Sequence, residues 1–370
     1  MICGLQNDGK NADDRPSTGR QGRGVRTTSW ETDAMPARRA PTGFRPMKVQ
    51  VRSGSYAEAF YRNRSGLIGN ALGRSRAIVP GIAPSPIDDL IFHGGKTVPQ
   101  MQLANLYVGG AAAWKPADVE AIDRAIYRAM NDRRLNNVMV QYFPGQKLEC
   151  AALASRFLDG DPPKVVSQYD TIAMIRKLYG DGTLGHSDLD ATIFNLLLPP
   201  GTVLNDSDQP AGGVRGKPSP RHGATSLNGL GGYHGSVHIR KPGAKKITVY
   251  YSVDVYSQIL PNGKENGIAV WKQPWKNMVA TLYHEINEFR TDPDVDDAIA
   301  AGDDPGGNDY LGWVSRNGDE VGDYPIAIAD PLTEVFREVR LAGRTTSVPV
   351  QFQYSNFVHG PEGPLENPHR

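Results

Sequence analysis

Trp275-Lys276-Asn277-Met278-Val279-Ala280-Thr281-Leu282-Tyr283-His284-Glu285-Ile286-Asn287-Glu288-Phe289-Arg290 is the stretch on which the reading of this chain turns. At about 100° per residue, Trp275, Met278, Val279, Leu282, Ile286 and Phe289 fall on one stripe, the pattern of a helix packed on a core. His284 and Glu288 lie on the other side. Being four apart they stack one turn above the other, close enough to ligate one ion, as the histidines of a His-Glu-x-x-His helix do. Glu285 is offset by one step, where a carboxylate can hold and deprotonate a water. An amphipathic helix that shows its polar face to solvent explains the same residues. One detail speaks for a cation: Glu285 and Glu288 repel each other, yet neither has a Lys or Arg three or four residues away.

The downstream sequence offers further ligands. Thr291-Asp292-Pro293 ends the helix, an Asp- and Gly-rich loop runs to Asp309, and a stretch from Gly312 to Asp323 follows. A catalytic zinc ion takes a third protein ligand and keeps one open position. Glu320 or Asp323 can supply that ligand, and the Asn317-Gly318 turn predicts that residues 319–323 head a return strand. An ordinary acidic hairpin explains this stretch equally well. Asp292, Asp294 and Asp296 alternate as in a calcium loop, but an EF-hand needs Gly at its sixth position and Glu at its twelfth, where this chain has Asp297 and Asp303.

The rest of the sequence has the pattern of a mixed α and β chain. Leu90-Ile91-Phe92 runs into His93-Gly94-Gly95, and Gln102 to Val108 reads as a strand. Pro116 opens a helix with apolar residues at Val119, Ile122, Ala125, Ile126 and Met130. Asn137 to Phe143 reads as a strand, Asp170 to Tyr179 as a helix, Ala191 to Leu198 as a buried strand stopped by Pro199-Pro200, and Lys246 to Val255 as a strand. Residues 201 to 232 read as a long loop. Residues 1–46 are rich in Gly, Arg, Asp, Ser, Thr and Pro without apolar periodicity, which predicts a disordered tail, followed by an arm over 47–87 and one domain over 88–370.

The 370 residues carry 41 Lys and Arg against 40 acidic residues, so no global field favours nucleic acid or an anionic membrane surface. No apolar run is long enough for a membrane span. No basic segment followed by an apolar run stands after Met1, Met35 or Met47, so no export signal is visible. Two cysteines, Cys3 and Cys150, make a disulfide framework improbable, and Cys150 reads as buried and inert. His234 and His238, four apart on a strand, share one face where they can bind metal or a substrate carbonyl, although such histidines more often pack or face solvent. His93 sits in a Gly-Gly turn that can line a pocket or serve only as a turn. The glycines from Gly229 to Gly235 lack the Lys-Ser/Thr ending of a phosphate loop, and no Gly-x-Ser-x-Gly elbow is present.

The order of these pieces resembles the EXORDIUM-like, phosphate-induced protein family. Phe92-His93-Gly94-Gly95 is similar to the family's Tyr-His-Gly-Gly opening, and Leu106-Tyr107-Val108-Gly109, Trp114 and Gly232-Tyr233-His234-Gly235-Ser236 follow in order. The family's bacterial-type members carry a His-Glu-x-x-Glu helix and Thr-Asp-Pro, matched by His284, Glu285, Glu288, Thr291, Asp292 and Pro293. Trp313, Gly318, Glu320, Val321, Gly322 and Asp323 match the next motif, and Val350 to Asn356 looks like the terminal strand. The resemblance implies a secreted or cell-wall-associated protein linked with growth responses. Gly231, and Tyr324 or Pro325, stand where the family pattern has cysteines, so its disulfide is absent and extracellular residence is in doubt.

The expectation is therefore a single α+β domain, zincin-like, in which a mixed sheet is packed by the Pro116 and Trp275 helices and the latter floors a cleft. His284, Glu288 and Glu320 hold Zn2+, Asp323 supports or replaces Glu320, and Glu285 activates water against a peptide or other amide. The carboxylate in the second ligand position leaves Mn2+ and Ca2+ open. A non-catalytic binding or signalling protein with a structural ion, or none, is the alternative.

Overall fold

A computed structural model describes residues 79, 82–185, 187–207, 210–211, 224–239, 247–294 and 310–369, all within one compact unit. The predicted tail lies outside the described residues, as do most of the arm, the Asp- and Gly-rich segment 295–309 and much of the 201–232 loop. From the arm, Val79 and Ile82 are buried against Ile268, Ala280, Val335 and Phe336.

The helices are α1 (Pro116–Met130), α2 (Arg133–Met139), α3 (Gln168–Gly180), α4 (Pro274–Thr291) and α5 (Asp323–Ile328). The strands are β1 (Ile91–Phe92), β2 (Gln100–Val108), β3 (Glu149–Ala152), β4 (Arg156–Leu158), β5 (Val165–Val166), β6 (Thr192–Leu197), β7 (Val203–Leu204), β8 (Gly232–Ile239), β9 (Ile247–Asp254), β10 (Gln258–Ile259), β11 (Glu265–Asn266), β12 (Trp313–Val314), β13 (Phe336–Arg340), β14 (Ser347–Gln351), β15 (Gln353–Ser355) and β16 (Gly360–Glu362). The central sheet runs β3-β2-β6-β9-β8, with β4 continuing the β3 edge farther along β2. Its pairings are parallel except for β8, which lies antiparallel on β9. The sheet is thus mixed, as expected.

Alternation along the strands assigns the two faces. Met101, Leu103 and Tyr107 of β2, Ile193 and Leu197 of β6 and Tyr250 of β9 share a core with α1 and α4. Ala104, Leu106, Val108, Phe194, Leu196, Tyr251 and Val253 face the opposite layer, where Ile175 and Leu178 of α3 pack. Both faces are covered, which is why the central strand Thr192–Leu197 is buried at every position. On β8, Tyr233 and Val237 join that opposite layer, so the same alternation puts His234, Ser236 and His238 on the sheet face that carries α4.

Helix α1 starts at Pro116 as predicted, its proline filling a first-turn position where no N–H is needed. Helix α3 is set by a capping box in which the Ser167 and Asp170 side chains satisfy each other's backbone N–H. The strand expected over Asn137 to Phe143 is instead helical, α2 running on into a 3-10 turn over Val140–Tyr142. Asp132 caps α2 by accepting from the N–H groups of Arg134 and Leu135 at 2.9 and 3.1 Å, and burial of Leu135, Val138 and Met139 at helical spacing outweighs the strand preference of valine.

The turn at Asn317-Gly318 forms, with Gly318 at φ +81°, but no return strand follows. Asp323 Oδ2 accepts the Glu320 N–H at 2.9 Å, and α5 starts there with Pro325 in its first turn, which no ladder would tolerate. Among the described residues, no helix is long and apolar enough to cross a membrane.

Candidate metal centre

Helix α4 is buried on all sides, every residue from Asn277 to Thr291 being enclosed. Its apolar stripe packs on the sheet and α1 as the periodicity predicts. Its polar face does not meet water: β8, β9 and β14 pack on the helix, and His284, Glu285 and Glu288 are 8%, 3% and 3% exposed. A solvated acidic face is therefore ruled out. The open cleft expected above the helix is replaced by an enclosed polar cluster.

That cluster joins His234 of β8, Asp254 of β9, His284, Glu285 and Glu288 of α4, Asp292 at its C-cap, and Glu320 and Asp323 from the segment leading into α5. Among the described residues, no Lys or Arg forms an ion pair with any of the six carboxylates; their cationic neighbours are the two histidines. Arg290, buried on the same helix, is directed elsewhere, to Asn136 and the carbonyls of Met130 and Glu149. Burying an uncompensated carboxylate costs several kcal/mol or more, so the residues call for protons or a cation.

Each histidine has one nitrogen committed, which fixes the other. Gln351 donates its amide to the Gly322 carbonyl at 2.6 Å, so its Oε1 faces His284 and accepts from Nδ1–H at 2.7 Å. His284 Nε2 is thereby aimed at Glu288 Oε1, 3.0 Å away. The Asp292 carbonyl takes the Nε2–H of His234 at 3.0 Å, leaving Nδ1 toward Glu285 Oε2 at 3.4 Å and Glu288 Oε2 at 3.6 Å. An acceptor on the distal nitrogen is the usual support for a metal-ligating imidazole.

Two groups have ligand atoms within 4.8 Å of one another: His284, Glu288 and Asp323, and His234, Glu285 and Glu288. The first unites three of the four ligands expected from sequence. Glu320 falls in neither group; its Oε1 lies 3.5 Å from His234 Nε2 and is buried without a hydrogen-bond partner, as are Asp254 Oδ1 and Asp292 Oδ2. Such orphaned acceptors beside imidazoles fit a cation.

Several other motif residues serve as scaffold. Asp292, read from sequence in the helix stop, the Thr-Asp-Pro match and an alternation that fails as an EF-hand, orients His234 through its carbonyl and accepts the Gly312 N–H with its carboxylate at 2.9 Å. A side chain on Gly312 would overlap the Thr291 carbonyl. His93 and Gly95 dock against Gly312 and Leu311 through their N–H groups, both at 2.8 Å, so the His93-Gly94-Gly95 motif seats that segment and joins neither ligand group. His238 hydrogen-bonds Thr248 at 3.0 Å and also stands outside both groups. Cys150 is buried and free, its thiol pushed up to about 11 by burial, which keeps it inert.

Gly322 sits against His284: an added Cβ would fall 2.7 and 2.8 Å from ring atoms Cε1 and Cγ. The backbone there, φ −96°, suits any residue, so Gly322→Ala acts through the ring alone. It is expected to weaken metal binding about 10- to 100-fold, as read by competition with a chromophoric chelator.

In the metal-free protein, proton affinities follow from burial and mutual charge. Burial disfavours the charged imidazole of His284, but Glu288 and Glu285 outweigh it and hold its pKa at about 10. Burial would raise Glu288, but His284 and His234 draw it down to about 2. Burial lifts Asp292 to about 7 against the Gly312 hydrogen bond, and lifts Asp323 to about 7 with help from Glu288. Groups raised on folding stabilise fully below their unfolded pKa and lose that stabilisation as pH rises through the folded value. For Asp292 and Asp323 the window runs from 3.8 to about 7, and for His284 from 6.5 to about 10. Glu288 stabilises above 4.5 and loses this as pH falls toward about 2. The chelated protein is therefore expected to melt at progressively lower temperature from about pH 5 to about pH 9, and the gain in Tm on adding metal is expected to grow over the same range.

No family model, curated protein or solved structure matches this chain.

Proposed function

We propose that this chain is a metal-dependent hydrolase, zincin-like and acting on a peptide or other amide, with zinc held by His284, Glu288 and Asp323. One observation carries the reading: the polar face of a His-Glu-x-x-Glu helix is buried against Asp323 and a second histidine, and among the described residues no Lys or Arg pairs with its carboxylates. The mixed ligand set of imidazole and carboxylate suits zinc or manganese. A divalent ion bound there supplies Lewis acidity and lowers the pKa of coordinated water.

The chain's own residues divide the remaining work. Gln351 holds His284 in the tautomer that presents Nε2. The Gly322 N–H donates to Glu288 Oε1 at 3.1 Å, fixing that carboxylate's rotamer. Glu285 reaches toward His284 Nε2 with Oε1, 3.9 Å away, and is the base that takes the proton of the attacking water. The motifs around His234, His284 and Glu320 to Asp323 that carry the resemblance to the EXORDIUM-like family lie in one cluster, which supports a shared site, while hydrolysis itself rests on the His-Glu-x-x-Glu helix. The test is hydrolysis of a mixed peptide and amide substrate panel by the full chain. Activity lost to chelator and restored by zinc is expected; activity indifferent to chelator removes the metal from the reaction.

A second reading, a non-catalytic binding protein with a structural ion, is favoured by the burial of the ligands. It predicts closed ligation. Water proton relaxation of the manganese-loaded protein separates the two, since only a catalytic ion keeps an exchanging water.

A further inference from the structure

The two ligand groups share Glu288, and the histidines fall in different groups. Bonds of about 2.1 Å to one ion confine its ligand atoms to about 4.2 Å of one another, so His234 and His284 address different points. Both carboxylates on α4 straddle those points. Glu288 presents Oε1 to His284 Nε2 at 3.0 Å and Oε2 to His234 Nδ1 at 3.6 Å. Glu285 does likewise, with Oε1 at 3.9 Å from His284 Nε2 and Oε2 at 3.4 Å from His234 Nδ1.

The distances around His234 bear on what lies between these atoms. Charge-assisted hydrogen bonds measure about 2.7–2.9 Å, and the contacts at 3.4 and 3.6 Å are longer. They match the edge, about 3.4 Å, of a tetrahedron with bonds of about 2.1 Å. The Asp292 carbonyl fixes the tautomer that turns Nδ1 inward. Glu320, 5% exposed, has its Oε1 3.5 Å from His234 Nε2, the nitrogen given to the Asp292 carbonyl, so it lies on the other side of the ring from Nδ1 and outside this ligand set.

We propose that the cluster is a two-ion centre, in which Glu288 bridges one divalent cation on His284 and Asp323 and a second on His234 and Glu285. This rests on the metal-binding part of the proposed function and adds the second ion. The second group's single imidazole and two carboxylates suit manganese or zinc over softer ions. Glu285 then ligates through Oε2 while Oε1 stays on the His284 side, where a base is needed. Paired ions sharing a carboxylate are suited to clamp the attacking and leaving atoms of a hydrolysis.

The experiment is metal counting on the full chain, stripped with chelator and reloaded with Mn2+ or Zn2+ alone, by elemental analysis and native mass spectrometry. Two ions per chain are expected, falling to one in His234→Asn. Because that variant can fail to fold, the wild-type protein is also titrated with Mn2+ and followed by EPR. An exchange-coupled signal at two equivalents is expected. Saturation at one ion, or an uncoupled six-line spectrum at two equivalents, overturns the two-ion centre while leaving the single-ion reading standing. No bound ion overturns both. Two coupled ions with no hydrolysis of any substrate support the centre and overturn only the hydrolase reading.

Discussion

Glu285→Gln is expected to reduce turnover by about 10²- to 10⁴-fold, the range that a positioned general base contributes, while the ion on His284, Glu288 and Asp323 is retained. The substitution keeps side-chain volume and one carbonyl oxygen, so the helix face stays filled. What it removes is the ability to accept a proton beside His284, together with the carboxylate charge that the two-ion centre uses at its His234 end. A loss confined to kcat, with metal content at the His284 group unchanged, is the expected pattern. Undiminished hydrolysis removes Glu285 from the chemistry.

Glu288→Ala is expected to have the largest effect of any single change, abolishing stoichiometric metal binding and destabilising the fold. Glu288 belongs to both ligand groups, accepts the Gly322 N–H and faces both histidines. Breaking a buried ion pair by removing one partner costs about 3–5 kcal/mol. Metal loss adds the linkage term by which a bound ion stabilises the native state. Glu288→Gln separates the two contributions: it retains an acceptor for Gly322 and should recover part of the Tm, but not the metal. Equal Tm and metal content in Glu288→Ala and wild type would place the ion elsewhere.

Much of this was legible in the chain, and the pattern of what was not has a physical cause. Helix α4, the start of α1 and the buried strand over Thr192–Leu197 follow from local periodicity and from proline placement. The pairing of His284 with Glu288 is a spacing within one helix, so it too is local. His234 could be placed on a strand face, but its approach to Glu285 depends on β8 lying antiparallel on β9 with His234 opposite Ser252. The docking of α4 on the β8-β9 pair, 51 residues from His234 to Glu285, leaves no mark in a single sequence. Asp254, at the end of β9, and Gln351, at the end of β14, carried no signal; both reach the cluster only through tertiary packing. Glu320 and Asp323 were both recognised as ligand candidates, yet the return strand expected to carry them is a turn leading into α5. That difference puts Asp323 with His284 and Glu320 beside His234. The mistaken strand over 137–143 shows the same limit, since a cap at Asp132 and tertiary burial overrode intrinsic preference.

On the proposed function, the buried histidines and carboxylates around α4 hold a divalent metal. Elemental analysis of the full chain, purified without chelator and dialysed against metal-free buffer, tests it most directly. At least one equivalent of zinc or manganese per chain is predicted, removable by chelator with a fall in Tm. A chain free of stoichiometric metal that binds none on addition of zinc or manganese, and melts identically with and without chelator, is not a metalloprotein.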